Sequence, residues 1–453
     1  MKVQICLMMG FLCSLWSNAQ ELECKENLSI YDGYVKTKRY GEAYEPWKKV
    51  YDSCPDIHWA NFSYGERILE YKIEEANTEA KSRYINDLIE LYNNSINYFP
   101  EKKSQTEVMV DIVLLKYKHK LIITKEIYAQ LDQAFKKGAK HFKDPKALFL
   151  YFSSAVDLYE AKHTRIEVVF EVYDKVTERI TEENTTLTAA IGKLLMKEEQ
   201  GNLNTKESRK LKSYTSYSSY YGKILNSIEV KLGNLAACEN LIPFYENRFE
   251  ERKEDIVWIK KAVGRLFAKD CLEAPIFQKL FDAQLQLDPS ADAFLYSGIL
   301  KQRKGDDPGA IADFNKAMEL ETNALKKSNI AYKIASAYEK KNKPKARNFA
   351  QKAIEANPAH GNAFLLIARL YANSANICGD NAFDKRALYW KAADLARRAA
   401  KVDPSLSIRA SKAIESYEGR APTKEMIFTR NMAGKTVYFK CWVGGSIVVP
   451  KLE

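Results

Sequence analysis

The five histidines, His58, His119, His141, His163 and His360, are the first candidates for metal or general-base chemistry. None sits in an H-E-x-x-H motif, and no two lie at the spacing that places two imidazoles on one helical face, so the pattern offers no metal hydrolase. There is no G-x-S-x-G elbow for a serine nucleophile and no G-x-x-x-x-G-K loop to cradle phosphate. Acidic pairs such as Glu182-Glu183 read as solvated helix termini, because nothing beside them would raise a carboxyl pKa for glycosidase work. Asp380, Asn381 and Asp384 are oxygen donors that could take calcium, but they lack EF-hand spacing and read more simply as a turn with a helix cap. The expectation is therefore no catalytic residue, no cofactor and no metal.

The remaining reactive residues are cysteines, and their chemistry depends on compartment. Residues Met1 to Ala19 read as a cleaved export signal: Lys2, then an apolar stretch from Ile5 to Trp16, then small residues before Gln20. The stretch is shorter than the roughly 20 residues that span a bilayer. Leu12 before Cys13 and Glu23 before Cys24 argue against lipidation. No later segment is apolar enough to span, so the mature chain is expected to be exported, and periplasmic or outer-membrane associated. After loss of Cys6 and Cys13, six cysteines remain: Cys24, Cys54, Cys238, Cys271, Cys378 and Cys441. An even number in an exported chain favours disulfides, and the absence of C-x-x-C disfavours a zinc ribbon or redox site. Cys24 opens one helix of a hairpin and Cys54 closes the other, so antiparallel geometry brings them together. Cys238 and Cys271 flank another helical unit, which leaves Cys378 for Cys441.

Charge is unevenly placed. The chain carries +11 overall, and residues 290–453 hold 28 Lys+Arg against 16 Asp+Glu. This block includes Lys301, Arg303, Lys304, Lys340, Lys341, Lys343, Lys345, Arg347, Arg397 and Arg398. Such an excess favours anionic neighbours, either an acidic protein or peripheral contact with an anionic envelope surface. No nucleic-acid-reading motif accompanies it. Tyr214, Tyr217, Tyr220 and Tyr221 form a stripe, with Tyr214, Tyr217 and Tyr221 on one helical side, as an aromatic platform for sugar or peptide or, the favoured reading, as a seam between helices.

The elements that must position these residues are helices. A cadence of small or aromatic residues at steps of four and three returns four times, usually closed by proline. It reads Ala43, Trp47, Val50, Pro55, then Ala310, Phe314, Ala317, Thr322, then Ala346, Ala350, Ala353, Pro358, then Ala392, Ala396, Ala399, Pro404. These steps hold one helical face, and proline ends the helix. A unit of this size cannot bury its face alone, which predicts a stacked array of helix pairs. Residues 20–102 read as the first hairpins, 103–289 as drifting helical repeats poor in Gly and Pro, and 290–420 as regular repeats with a capping helix. After Gly419, Met426-Ile427-Phe428, Thr436 to Val443 and Ser446 to Val449 have strand character, separated by turns. The fold class is all-α, a helix-turn-helix solenoid with a small C-terminal β meander over 421–453.

The cadence and its spacing resemble the tetratricopeptide repeat, a helix-turn-helix unit of about 34 residues. The resemblance covers Ser290 to Leu406 and Cys24 to Pro55. It departs where Lys301 stands for the usual Tyr and where Ala350 and Ala396 replace a bulkier aromatic. The ending Asn-Ala-Gln of the leader, with abundant Lys, Tyr and Asn, resembles exported proteins of the Bacteroidota. What the resemblance implies is a concave groove lined by the first helix of each pair. It implies a non-enzymatic scaffold that grips a protein of the cell envelope in secretion or outer-membrane assembly. Repeat register then nominates Lys301, Lys304, Tyr338 and Tyr371 as groove contacts. The alternative is a glycan binder, since starch-binding outer-membrane lipoproteins also use helices of this kind.

Overall fold

The computed structural model describes residues 20–452; the export signal read at 1–19 lies outside the described residues. The chain forms two compact units, divided at residues 179 and 180 within one long helix.

The first unit begins with α1, residues 20–36, and α2, Tyr40–Ser53. It continues with α3, Ala60–Glu75, α4, Thr78–Tyr98, α5, Gln105–Lys118, α6, Thr124–Gly138, and α7, Pro145–Glu160, before entering α8, Ile166–Glu199. Local signals set these limits. Ser104 and Glu107 form a reciprocal capping box on α5, and Asp144 accepts from the Ala147 amide ahead of Pro145 at the start of α7. The cadence residues Ala43, Trp47 and Val50 are buried. Trp47 Nε1 donates to the Asn61 carbonyl at 2.7 Å and Tyr31 Oη to Asn61 Oδ1 at 2.6 Å, which satisfies two large amphipathic rings at one point. Gly65 permits this packing: a Cβ there would stand 2.7 Å from the Trp47 ring. The Cys24–Cys54 disulfide closes the hairpin.

The second unit contains the end of α8 and α9, Thr205–Leu232. The short α10, Cys238–Glu246, and α11, Phe249–Arg252, lead into α12, Ile256–Ala268, and α13, Pro275–Leu287. Three regular pairs follow: α14, Ala291–Arg303, with α15, Asp307–Leu320; α16, Ala324–Tyr338, with α17, Lys343–Ala356; α18, Gly361–Ala372, with α19, Ala382–Val402. The helix α20, Ser407–Glu418, covers the last pair. The nine helical cadence residues from Ala310 to Ala399 are fully buried, while Thr322 and Pro358, which close their helices, are exposed. Small side chains here allow backbones to approach, and Gly298 lies where a Cβ would meet the Phe314 ring at 2.6 Å. Cys238–Cys271 and Cys378–Cys441 are bonded, with Cα atoms 5.5 and 5.0 Å apart.

Two features differ from the sequence reading. Met426-Ile427-Phe428 is helical, in α21, Lys424–Thr429, because Thr423 caps its first turn through the Met426 amide. An apolar run this short does not distinguish strand from helix by itself. The meander thus reduces to one antiparallel hairpin, β1, Thr436–Tyr438, with β2, Ser446–Val448, in the register Val437 to Ile447. The other feature is a lateral brace. Within the second unit, the α8–α9 hairpin packs on turns nearly 200 residues later. Ile191, Leu195 and Tyr214 meet Ala359 and Val402. Ser218 Oγ donates to Asn184 Oδ1, and Asn184 Nδ2 to Ser405 Oγ at 3.3 Å. Gly222 lets the Ser405 carbonyl approach closely. Tyr214 and Tyr221 are therefore seam residues, while Tyr217 and Tyr220 face solvent.

Candidate interaction cleft

The helix period generates the site. On α16, Lys333, Ser336 and Ala337 lie three and four residues apart and so share one face, and Lys340 follows in the turn just past the helix. Opposite them stand Ile299, Gln302 and Arg303 of α14, with Phe267 and Asp270 at the end of α12. Together they line a cleft of about 520 Å³. Tyr338 holds α16 in place from behind, edge-on to Phe314 and stacked on Phe349 at 6.2 Å.

Both carboxylates of the cleft are already paired. Asp270 meets Arg303 at 2.7 Å, and Glu339 takes both arms of the Arg369 guanidinium. That pairing keeps Arg369 firmly cationic, its pKa raised chiefly by the Glu339 hydrogen bond. Lys333 lies over the Tyr296 ring at 5.3 Å, and Lys340 is exposed at the rim. Lys341 Nζ donates to the Gln302 carbonyl and caps the end of α14. Gln302 itself is 1% exposed, and its Nε2 has no hydrogen-bond partner. A buried donor left unpaired costs about 1–3 kcal/mol. The cleft thus presents cations, with the buried Gln302 in its wall, and suits an anionic segment.

The four residues nominated by register are elsewhere. Lys301 is paired with Asp313 at 2.8 Å, on the partner helix of its own hairpin. Lys304 is exposed just past α14 and does not line the cleft. Tyr338 is in the core, and Tyr371 is buried beneath Trp442, ring centroids 5.9 Å apart. The cleft is lined instead at 333 and 336 of α16 and at 340 in the turn after it. The spacing of Lys333, Ser336 and Lys340 was visible in the sequence, but the side on which Tyr338 packs was not.

Much of the basic block serves the fold. Lys343 Nζ donates to the Asn373 carbonyl at 2.7 Å, and Arg386 to the carbonyls of Arg420 and Ala421. Arg347 donates to the carbonyls of Trp442 and Val443, and Lys391 to that of Gly444 at 3.0 Å. Burial lowers the Lys391 pKa, with the nearby Arg347 adding to the shift. At the turn of Asp380, Asn381 and Asp384, Asn381 accepts from the Phe383 and Asp384 amides as the cap of α19. No group of acidic, His or Cys side chains suited to a metal occurs among the described residues. No helix among them is long and apolar enough to cross a membrane.

The helix pairs, the buried cadence and the capping helix define an all-α, tetratricopeptide-like solenoid. No protein-family model matches the sequence, and no curated protein matches it. Among solved structures, yeast Tom70 is similar over 90% of this chain and 89% of its own, at 12% identity and a TM-score of 0.32. A tetratricopeptide repeat protein of Parabacteroides merdae matches over 68% of this chain and 97% of its own, at 11% identity and a TM-score of 0.25. The TPR2AB domain of yeast Sti1, solved as a complex with pHSP90, matches over 70% and 99%, at 15% identity and a TM-score of 0.23.

Proposed function

We propose that this protein is an exported, non-enzymatic scaffold of the cell envelope that holds an acidic segment of a partner protein in the cleft between α14 and α16. The observation that carries the reading is the set of cations, Lys333, Lys340 and Arg303, that line this one cleft. They would steer an acidic chain inward. Three disulfides fit an oxidising compartment outside the cytoplasm, in keeping with the leader-like first 19 residues. The glycan alternative has lost half of its proposed platform to the α8–α9 seam.

Non-covalent pull-down from envelope extracts tests this. The wild type should retain a protein partner at low salt and release much of it at high salt. Lys333→Glu with Lys340→Glu should abolish retention. Capture that survives this charge reversal would overturn the assignment of the cleft.

A further inference from the structure

The end of the second unit carries large apolar side chains that no neighbour covers. Phe428 is 75% exposed, Tyr438 71%, Ile377 67% and Val448 62%. They belong to one surface. Tyr438 pairs with Ser446 and Thr436 with Val448, so strand alternation places Tyr438 and Val448 on the same outward face of the hairpin. Ile377 and Tyr438 line one shallow depression with Asp380 and Lys440. The turn that carries Ile377 also receives Arg430, whose Nη1 donates to Asn381 Oδ1 at 3.3 Å, two residues beyond Phe428. The Cys378–Cys441 disulfide fastens hairpin to turn, so these tips stand on a fixed support.

Charge frames them. Residues 420–453 contain six Lys+Arg and two Glu. Lys440 meets Asp380 at 3.2 Å, whereas Lys424, Lys435 and Lys451 are exposed with no carboxylate partner among the described residues. A protein interface concentrates apolar area in a continuous core and is depleted in lysine. Separate aromatic and aliphatic tips among lysines match a lipid interface instead, where Tyr favours the headgroup level and lysine meets phosphate.

We propose that this end is a peripheral membrane-contact surface: Phe428, Tyr438, Ile377 and Val448 enter the headgroup boundary of an anionic bilayer while Lys424, Lys435 and Lys451 lie against its phosphates. The inference is independent of the cleft.

Co-sedimentation of the oxidised chain from Gln20 onward, without the apolar leader, with vesicles tests it. The protein should pellet with vesicles of equal parts phosphatidylglycerol and phosphatidylcholine. It should stay in solution with phosphatidylcholine alone, and leave the anionic vesicles in high salt. Phe428→Ser with Tyr438→Ser should lower partitioning about tenfold or more. Lys424→Glu with Lys435→Glu should do at least as much. A Tyr438→Trp variant reports insertion directly, through quenching by lipids brominated on their acyl chains. Absence of quenching, or partitioning unmoved by the serine pair, would overturn the proposal. Failure to bind either vesicle would do the same, and would leave the cleft reading untouched.

Discussion

The two units close similar helix hairpins with different materials. In the first, aromatic rings fill the seams: Trp47 lies near Tyr44 and stacks on Tyr51, and Phe62 meets Trp59, Tyr51 and Phe99. Rings with polar tips need partners, so Asn61, Glu66 and Asn94 are placed to receive or satisfy Trp47, Tyr31, Tyr92 and Tyr51. In the last two regular pairs of the second unit, alanines fill the same positions and the backbones approach instead. Aromatic seams should therefore fail when a ring is removed, and alanine seams when one is added.

Charge differs in the same way. The α3 face of the first unit carries Glu66, Glu70 and Glu74, with Asp111 nearby on α5. Burial pushes the Asp111 carboxyl up to about 6 although Lys103 is beside it, and Glu70 is raised by burial and by its acidic neighbours. The cleft of the second unit, by contrast, has its carboxylates paired and its lysines to spare. One hairpin architecture thus supports surfaces of opposite sign, because the face left open by packing is free to vary.

The largest test of this contrast is Trp47→Ala, which should destabilise the first unit by about 3–5 kcal/mol in urea unfolding. A loss below about 1 kcal/mol would mean that the ring does not hold the seam. Removing the last staple with Cys378→Ser and Cys441→Ser should cost about 2–4 kcal/mol and change the emission of Trp442 as the hairpin loosens. An unaltered spectrum would show that Arg347 and the apolar contacts suffice. Overfilling the alanine seam with Ala350→Leu should cost about 1–3 kcal/mol, although the change adds apolar volume. Neutral or improved stability would break the comparison.

The smallest expected effect depends on pH. A carboxyl whose folded pKa is raised binds its proton more tightly in the folded state than in the unfolded chain. Stability therefore falls as pH rises from about 4 through about 6. Asp111→Asn should remove a decline on the order of 1–2 kcal/mol across that window, read as the difference between wild-type and variant urea midpoints at each end. A variant with the same decline as the wild type would assign it to other groups.

Legibility in the sequence followed the range of the interactions. The Ala310 to Ala399 cadence announced which faces pair, since helical period is a property of neighbours along the chain. The cysteine pairing was equally readable, because hairpin geometry leaves few ways to join chain ends. Tyr338 and Tyr371 were not readable as core residues: both are amphipathic, and Phe349 and Trp442, which cover them, arrive from other elements. The basic block was misleading for a related reason. Lys343 and Arg347 read as surface charge, yet each caps carbonyls of a segment that sequence distance hides.

By itself, then, the sequence determined that the chain is helical, paired, stapled at three places and closed by a short β segment. Only the tertiary structure decided which lysines remain outward, where the cleft opens, and that α8 and α9 brace turns nearly 200 residues away. Periodicity specifies the two sides of a helix, but not which neighbour will cover each side. That choice belongs to contacts between elements, and the exposed remainder is where binding can occur.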